Sequence, residues 1–151
     1  KAAHTTPHLI TQAANLFGNQ SIVVSIDVKK VFLKGYRVFI ENGKKNTGLH
    51  PVEFAITAEK LGAGEILLNS IDKDGTFTGY DLALIQQVSQ AVNIPVIAIG
   101  GASSVEDFAK AKQAGASAVS AGSMFVFQRP HKAVLISYPT RKEIKEIVHA
   151  Q

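Results

Sequence analysis

Residues 65–81, EILLNSIDKDGTFTGYD, carry the clearest fold signal in this chain. Ile66, Leu67 and Leu68 form a short apolar run, which is typical of a strand buried on both faces of a parallel sheet. Polar residues follow where the run ends: Asn69, Ser70, Asp72 and Asp74. In barrels of alternating strands and helices, the loops at the carboxyl ends of the strands carry the chemistry. This stretch therefore predicts a buried parallel strand with a candidate site at its carboxyl end.

Helix and strand patterns alternate on both sides of this strand. The first helix is expected to begin at Pro7, with Thr5 or Thr6 as its cap, and to end before Gly18. Four strand–helix units then follow, with strands at 22–26, 66–68, 96–99 and 118–121 and helices at 51–61, 81–91, 105–114 and 140–149. Such alternation predicts an α/β fold with a parallel sheet and right-handed crossovers.

Local signals define the expected boundaries of these elements. The strand at 22–26 is expected to end in Asp27, and residues 38–40 are expected to form a second, shorter strand. His50 is a candidate cap for the helix that follows it, and no regular structure is predicted for 124–138. Capping-box spacing occurs at two helix starts: Ser103 with Glu106, and Thr140 with Glu143.

The sequence contains two pairs of internally similar segments. VSIDVK at 24–29 resembles NSIDKD at 69–74, and KAKQAGASAV at 110–119 resembles TAEKLGAGEI at 57–66. Repeated strand–helix units are the building blocks of the (βα)8 barrel. Residues 1–151 are therefore predicted to form a single (βα)4 half-barrel, preceded by one helix. Its open edge strands favour association.

Composition narrows the function classes. The net charge is +4 and the pI is about 9.4, but the lysines are scattered, so small anionic substrates explain the balance better than nucleic acid does. The chain has no cysteine, which excludes disulfides, thiol catalysis and Cys-ligated metal. No apolar run approaches the roughly 20 residues that a membrane span needs, and no signal peptide is seen, so a cytoplasmic location is expected.

Glycine-rich turns follow the last two predicted strands. Gly100, Gly101, Ala102 and Ser103 lie between a strand and a helix start, and Gly122-Ser123 follows the next strand. Exposed backbone N–H groups and the helix dipole bind anions at such places, so the turns predict a phosphate site. The alternative is a pair of tight turns. The loop 75–79, together with residues 46–48, could hold a second phosphate at the opposite rim.

Carboxylates at strand ends are the candidate catalytic groups. Asp27 could serve as a general acid or base, or alternatively as a helix cap or a partner of Lys29 or Lys30. Asp74 is expected to orient the substrate or shape a turn. The DKDG sequence at 72–75 does not fit a calcium loop, because the glycine and the closing glutamate are misplaced, so no metal is expected.

Five motifs, in order, resemble the cyclase subunit of imidazole glycerol phosphate synthase. They are SIDVK (25–29), GKKNTG (43–48), GAGEILLNSIDKDGT (62–76), PVIAIGGA (95–102) and AGSMF (121–125). The resemblance runs from about residue 5 to about residue 128 and corresponds to the C-terminal half of that family's (βα)8 barrel. The family's first four strands have no counterpart in this sequence.

The resemblance implies a reaction and a partner. The family subunit takes ammonia from a class I glutaminase partner and uses it to cleave and cyclise a doubly phosphorylated ribulosyl aminoimidazole carboxamide. One of the two catalytic aspartates matches Asp27, and the other lies in the half without a counterpart, so the isolated chain is expected to be inactive. No cofactor is implied.

The resemblance also assigns binding residues. Glu65 matches a charged gate at the bottom of the barrel, where ammonia enters. The substrate- and phosphate-binding positions that we expect are Gly48, Asn69, Asp74, Gly75, Gly100, Gly101, Gly122 and Ser123.

Departures from the family pattern point to a second interpretation. Asn69 stands where the histidine enzymes carry Thr, Ile99 where they carry Ser, and Val126 where they carry His. Residues 131–139 form an extra segment. These features are typical of a paralogous branch whose members, with a glutaminase-like partner, amidate nucleotide-linked sugars for surface polysaccharide or flagellin glycans. A catalytically silent half-barrel that binds phosphorylated ligands is a third interpretation.

Overall fold

A computed structural model describes residues 1–128, 133–134 and 136–149. Its helices are α1 (Ala2–Thr5), α2 (His8–Phe17), α3 (Pro51–Lys60), α4 (Leu82–Ser89), α5 (Val105–Gln113), α6 (Ser123–Val126) and α7 (Arg141–His149), with a 3-10 turn at Asn19–Ser21. Its strands are β1 (Val23–Val31), β2 (Gly35–Ile40), β3 (Lys45–Asn46), β4 (Glu65–Ser70), β5 (Val96–Ile99), β6 (Ala118–Ser120), β7 (Phe127–Gln128) and β8 (Ala133–Val134).

The central feature is a six-stranded sheet in the order β3-β2-β1-β4-β5-β6. β1, β4, β5 and β6 pair in parallel, and β2 and β3 extend one edge in antiparallel fashion. β7 and β8 form a separate antiparallel pair. The predicted α/β class with a largely parallel sheet is confirmed.

One face of the sheet is covered and forms the core. Alternate residues of β1 and β4, such as Ile26 and Ile66, are fully buried and pack in one cluster with Phe54 of α3 and Val88 of α4. The intervening residues lie on the other face, which we call the open face, where Val23 is 51% exposed. This alternation follows from the two-residue repeat of a strand.

The expected end of the first strand is wrong. β1 continues four residues beyond Asp27 and turns into β2, so that Val31 pairs with Gly35. The predicted strand at 38–40 is the second half of β2. Asp27 nevertheless lies close to the point where parallel pairing with β4 stops, because that pairing ends at Val28.

Side chains anchor the β1–β2 hairpin to the rest of the fold. The Lys30 backbone N–H donates to Asp72 Oδ2 at 2.7 Å, and the Tyr36 hydroxyl donates to Asp81 Oδ1 at 2.8 Å. Asp81 also caps α4 by accepting from the Leu84 backbone N–H at 3.1 Å. Burial and the nearby Asp81 carboxylate raise the pKa of Tyr36 to about 12, so its hydroxyl stays protonated and remains a donor.

Two helix starts agree with their predicted caps. His50 caps α3, since its Nδ1 accepts from the Val52 backbone N–H at 3.4 Å, and Pro51 occupies the first helical position. At α7 the Thr140 backbone N–H and hydroxyl donate to Glu143 Oε2 at 2.6 and 2.7 Å. Both predictions are confirmed.

At two other helix starts the predicted cap is displaced by one residue. α2 begins at His8 with Pro7 as its N-cap, and neither Thr5 nor Thr6 caps it. α5 begins at Val105 with Ser104 as its N-cap, and its capping carboxylate is Asp107 rather than Glu106. At α5 the error arose because Ser103 and Ser104 are adjacent and serine is a favoured N-cap residue at either position.

The segment 124–138, for which no regular structure was predicted, contains the end of α6 and the short pair β7–β8. Positions 129–132 and 135, which include part of the extra segment 131–139, lie outside the described residues.

Asp107 is the buried carboxylate that stabilises the start of α5. Its Oδ2 accepts from the Ser103 backbone N–H at 2.9 Å, the Ser103 hydroxyl at 2.7 Å and the Ser104 backbone N–H at 3.3 Å. Burial opposes its ionisation, but these hydrogen bonds and Lys110 outweigh it and hold the pKa of Asp107 below its ordinary value.

We expect Asp107→Asn to lower the free energy of unfolding by about 1 kcal/mol at neutral pH, because charge-assisted capping bonds are lost. A carboxyl with a lowered folded-state pKa stabilises the protein above its unfolded-state pKa of about 3.9. The difference between wild type and variant should therefore shrink as the pH falls through the lowered pKa. Urea unfolding at a series of pH values measures it. The exposed Glu53→Gln on α3 is the control, and a difference independent of pH would contradict the assignment.

Candidate active site at the carboxyl edge of the sheet

Four residues form a continuous row across the parallel strands. Asp27 pairs with Asn69, Asn69 with Ile99, and Ile99 with Ser120. All four are half-buried and belong to the open face. Because paired residues in adjacent strands project to the same side, the structure brings Asp27 to the edge at which both glycine turns begin.

Asp27 is held by a neighbouring amide. The Asn69 Nδ2 donates to Asp27 Oδ1 at 2.9 Å. In the described part of the chain Asp27 forms no ion pair, whereas the Lys30 Nζ lies 5.8 Å from the ring centroid of Tyr36. Asp27 is therefore not a lysine partner, and because it lies within β1 it caps no helix, so both alternatives are wrong.

Among the described residues the side-chain oxygen of Asn69 has no hydrogen-bond partner. Its Oδ1 is buried and accepts no hydrogen bond from any described residue. An unpaired buried acceptor typically costs about 1–3 kcal/mol. The oxygen lies close to Gly100, since a Cβ added at that position would be 3.2 Å from the Asn69 Oδ1.

A cavity of about 110 Å³ lies beside the row. Three segments line it: the turn after β4, the turn after β5, and the turn after β6. Six of the predicted site residues therefore share one cavity, namely Asp74, Gly75, Gly100, Gly101, Gly122 and Ser123.

This arrangement corrects the expectation that loop 75–79 forms a second phosphate site at the opposite rim. The turn after β4 folds back over the end of β5. The Asp74 backbone N–H donates to the Ser70 carbonyl at 3.0 Å, and the Gly79 N–H donates to the Gly101 carbonyl at 2.8 Å. Asp74 and Gly75 consequently belong to the same cavity as Gly101.

Gly48 does not reach this cavity. It is exposed in the connection between β3 and α3, where its N–H donates to Asn46 Oδ1 at 2.8 Å. Glu65 lies at the amino end of β4, beside Val23, at the opposite end of the strand from Asn69. The four residue-to-residue steps from Glu65 to Asn69 span about 13 Å along the strand.

The helix dipole of α5 is already matched by a carboxylate. Asp107 accepts from the N–H groups of Ser103 and Ser104, so these donors are not available to an anion. The predicted phosphate site at Gly100 to Ser103 therefore cannot use the N–H groups at the start of α5. The backbone of Gly101 and Ala102, facing that of Gly122 and Ser123, lines the cavity instead.

Sequence reasoning missed two residues beside the cavity. Lys73 lies against Gly101, where an added Cβ would be 2.9 Å from the Lys73 Cβ, and its Nζ donates to Thr78 Oγ1 at 3.2 Å. Tyr80 is buried, and its hydroxyl donates to the Ser120 carbonyl at 2.9 Å. Burial and Asp107 raise the pKa of Tyr80, which keeps it a donor that holds the end of β6. Both lie within the 65–81 stretch, but only tertiary contacts show their neighbours.

Within residues 1–128, 133–134 and 136–149, no three His, Asp or Glu side chains gather as metal ligands would. In the same residues, no helix is long and apolar enough to cross a membrane.

Comparison with known proteins identifies similar sequences. Residues 1–130 match the family described as histidine biosynthesis protein. The chain is 51% identical to the imidazole glycerol phosphate synthase subunit HisF of a Hydrogenobaculum species over 91% of its length and 55% of that protein. It is 53% identical to the HisF subunit of Hyphomonas neptunium over 83% of its length and 50% of that protein.

A third relative comes from Pseudomonas aeruginosa and carries the provisional name imidazole glycerol phosphate synthase subunit hisF2. It is 49% identical over 87% of this chain and 53% of that protein. The chain thus spans about half the length of the curated relatives that it matches.

We expect Gly101→Ala to lower the free energy of unfolding by about 2 kcal/mol or more. Gly101 has φ +98°, and an added Cβ would lie closer to the Gly79 carbonyl oxygen than van der Waals contact allows. Gly122→Ala is the matched control, because its φ is −116° and an added Cβ would meet no described residue beyond its chain neighbours within 4 Å. Thermal and urea unfolding compare the two variants. Equal losses would show that the Gly79–Gly101 approach does not constrain the turn.

Proposed function

This chain belongs to the histidine biosynthesis protein family, and from that membership we propose that it forms part of the cyclase subunit of an imidazole glycerol phosphate synthase. The proposed reaction uses ammonia to cleave and cyclise a doubly phosphorylated ribulosyl aminoimidazole carboxamide. One observation carries the proposal: Asp27 stands in the same row of the sheet as the strand ends that lead into the glycine-lined cavity.

The proposed architecture is the C-terminal half of a (βα)8 barrel. Four parallel strands, with helices on one face, supply four strand–helix units, and the open face becomes the barrel interior in the complete synthase. In the part of the chain that the structure describes, β6 pairs only with β5, so its other edge and the antiparallel hairpin at β1 are the boundaries at which the remaining units would join.

The proposed roles divide along the carboxyl edge. Asp27 acts as a general acid or base, oriented by Asn69. The cavity at Gly101, Gly122 and Ser123 binds one substrate phosphate through backbone N–H groups, and Lys73, which lies against Gly101, adds a positive charge beside it. Gly48 stays a candidate for contacts outside this cavity.

The opposite edge is the proposed entry for ammonia. Glu65 lies at the amino end of β4, at the opposite end of the strand from the catalytic row. This is the position expected for a residue that controls entry of ammonia into the barrel interior. A glutaminase subunit docked at this end would deliver ammonia through the barrel interior toward Asp27. We place this assembly in the cytoplasm.

A second candidate function is amidation of a nucleotide-linked sugar by a paralogous synthase. Two departures from the family pattern in the central row, Asn69 and Ile99, favour it. A nucleotide-linked sugar also presents phosphates, so the glycine-lined cavity suits either substrate.

The test is turnover by the complete synthase that contains these residues. With ammonia as nitrogen donor and the doubly phosphorylated ribulosyl aminoimidazole carboxamide as substrate, we expect product formation. Asp27→Asn should lower kcat by about 10²–10⁴-fold, because one general acid–base group is lost. The exposed Glu53→Gln on α3 is the control carboxylate and should leave turnover unchanged.

Unchanged turnover in Asp27→Asn would remove Asp27 from the mechanism. Turnover of a nucleotide-linked sugar in place of the ribulosyl substrate would instead support the second candidate. Turnover of neither substrate would favour a catalytically silent, phosphate-binding protein.

The isolated 151-residue chain should self-associate. In the described residues β6 pairs only with β5, and the open face exposes Val23. Unpaired strand edges and an uncovered sheet face favour pairing with another copy. Light scattering across a concentration series measures the mass, and a monomer at all concentrations would contradict the proposal.

A further inference from the structure

The β1–β2 hairpin ends in a basic tip, which we define as residues 29–37, KKVFLKGYR. The tip contains four Lys or Arg and no Asp or Glu, so its net charge of +4 equals the net charge of the whole chain. The other residues therefore balance to zero. Although lysines are scattered along the sequence, the excess positive charge of the protein lies in this one hairpin, at the carboxyl end of β1.

The positive charges of the basic tip are not neutralised within the fold. Among the described residues, none of the Lys or Arg side chains of the tip forms a salt bridge. The carboxylates of Asp72 and Asp81 contact the hairpin, but they accept from the Lys30 backbone N–H and the Tyr36 hydroxyl. These hydrogen bonds anchor the hairpin and leave its cations without a counter-charge.

The cations lie on both faces of the tip. Lys29 and Lys30 are consecutive strand residues, so their side chains project to opposite sides. Lys29 pairs with Arg37 across the hairpin, which sets like charges opposite each other and is destabilising. A partner packed on one face of the hairpin would meet only some of these charges. A flat anionic surface that approaches the tip end-on would meet all of them.

Two apolar side chains project from the turn of the basic tip. Phe32 is 88% exposed and Leu33 is 90% exposed. Leu33 also has a φ of 61°, a left-handed conformation that suits Gly or Asn and strains a leucine. Its side chain therefore neither fills the core nor suits its turn, which is the pattern expected of a residue that contacts another molecule.

The tip is convex and stands beyond the row of the candidate active site. The four residue-to-residue steps from Asp27 to Val31 span about 13 Å along β1, and the turn follows. Phe32 and Leu33 thus lie at a projecting end with cations behind them. A second copy docked tip to tip would set equal positive charges against each other, which opposes self-pairing at this place.

We propose that the basic tip docks this protein onto the surface of an anionic phospholipid bilayer, with Phe32 and Leu33 inserted at the acyl boundary and the cations against the headgroups. Apolar side chains flanked by Lys and Arg are what binding at such an interface requires. The carboxyl edge of the sheet, with the candidate active site, then faces the bilayer. The inference goes beyond the proposed function and does not depend on it.

A second exposed apolar pair provides a matched comparison. Leu16 is 74% exposed and Phe17 is 63% exposed at the end of α2, which precedes the amino end of β1. Residues 2–28 contain no Lys or Arg, so this pair lacks flanking positive charge. If apolar exposure alone drove binding, both pairs would contribute to it.

Vesicle flotation of the full 151-residue chain tests the proposal. We expect binding to vesicles of equal parts phosphatidylcholine and phosphatidylserine, and none to phosphatidylcholine alone. Phe32→Ser combined with Leu33→Asn should weaken binding by about tenfold, because two inserted apolar side chains are lost. Asn suits the left-handed φ at position 33, so this variant should stay folded. Leu16→Asn combined with Phe17→Ser is the control and should bind as the wild type does.

The charges are tested separately. Lys29→Gln and Lys34→Gln should each weaken binding to the anionic vesicles by about fivefold, since each removes one cation from the membrane surface. Lys60→Gln, at an exposed lysine that ends α3, is the control and should leave binding unchanged. Equal effects at all three positions would show that net charge alone matters and would overturn the proposal.

A fluorescent reporter locates the inserted segment. The chain has no tryptophan, so Phe32→Trp supplies a single emitter at the tip and Phe17→Trp supplies one on α2. Emission from Phe32→Trp should shift to the blue when anionic vesicles are added. Emission from Phe17→Trp should not shift, and a shift there without one at the tip would contradict the proposal.

The remaining outcomes separate lipid from other anions. Absence of wild-type binding to anionic vesicles, or undiminished binding by the tip variants, overturns the proposal. Capture of polyuridylate RNA or polyglutamate in place of vesicles also overturns it and reassigns the tip to nucleic acid or to an acidic protein. Excess inorganic phosphate at constant ionic strength should not release the vesicles. Release would assign the headgroup to the glycine-lined cavity instead of the tip.

Discussion

Parallel pairing of β1, β4, β5 and β6 is the constraint on which the site depends. Each strand contributes side chains alternately to the covered face and to the open face. Because Ile26, Ile66 and the other core residues of these strands are buried against the helices, the residues between them must project to the open face. Asp27, Asn69, Ile99 and Ser120 come into one row as a consequence of burying the core.

The loops build the cavity only because backbone atoms approach each other closely. Gly100 and Gly101 both have positive φ, and their surroundings leave no room for a Cβ beside the Ser70 and Gly79 carbonyls. The turn after β4 can therefore fold over the end of β5 and bring Asp74 and Gly75 to the cavity. Tyr80 and Asp107 hold the flanking segments in place through hydrogen bonds. The result is one composite cavity where the sequence suggested two separate loops.

Much of the fold could be predicted, and the errors have a common form. Apolar runs and glycine turns identified the parallel strands, and residues 65–81 marked the edge that carries the site. The end of β1 was misplaced because Asp27 interrupts an apolar run, while the backbone continues into a hairpin whose partner strand supplies the hydrogen bonds. The α5 cap was misplaced because Ser103 and Ser104 are equally good caps. Burial of Asp107 selects between them.

The amino-acid sequence alone determined which segments form the parallel strands and which turns contain glycine. It also determined that polar residues follow the strands. These properties arise from local periodicity and composition. The fold decided which of those groups meet. Asp27 and Asn69 are 42 residues apart, and their hydrogen bond exists only through the register of β1 on β4. The shared cavity and the unpaired oxygen of Asn69 likewise arise from long-range packing, which no local pattern encodes.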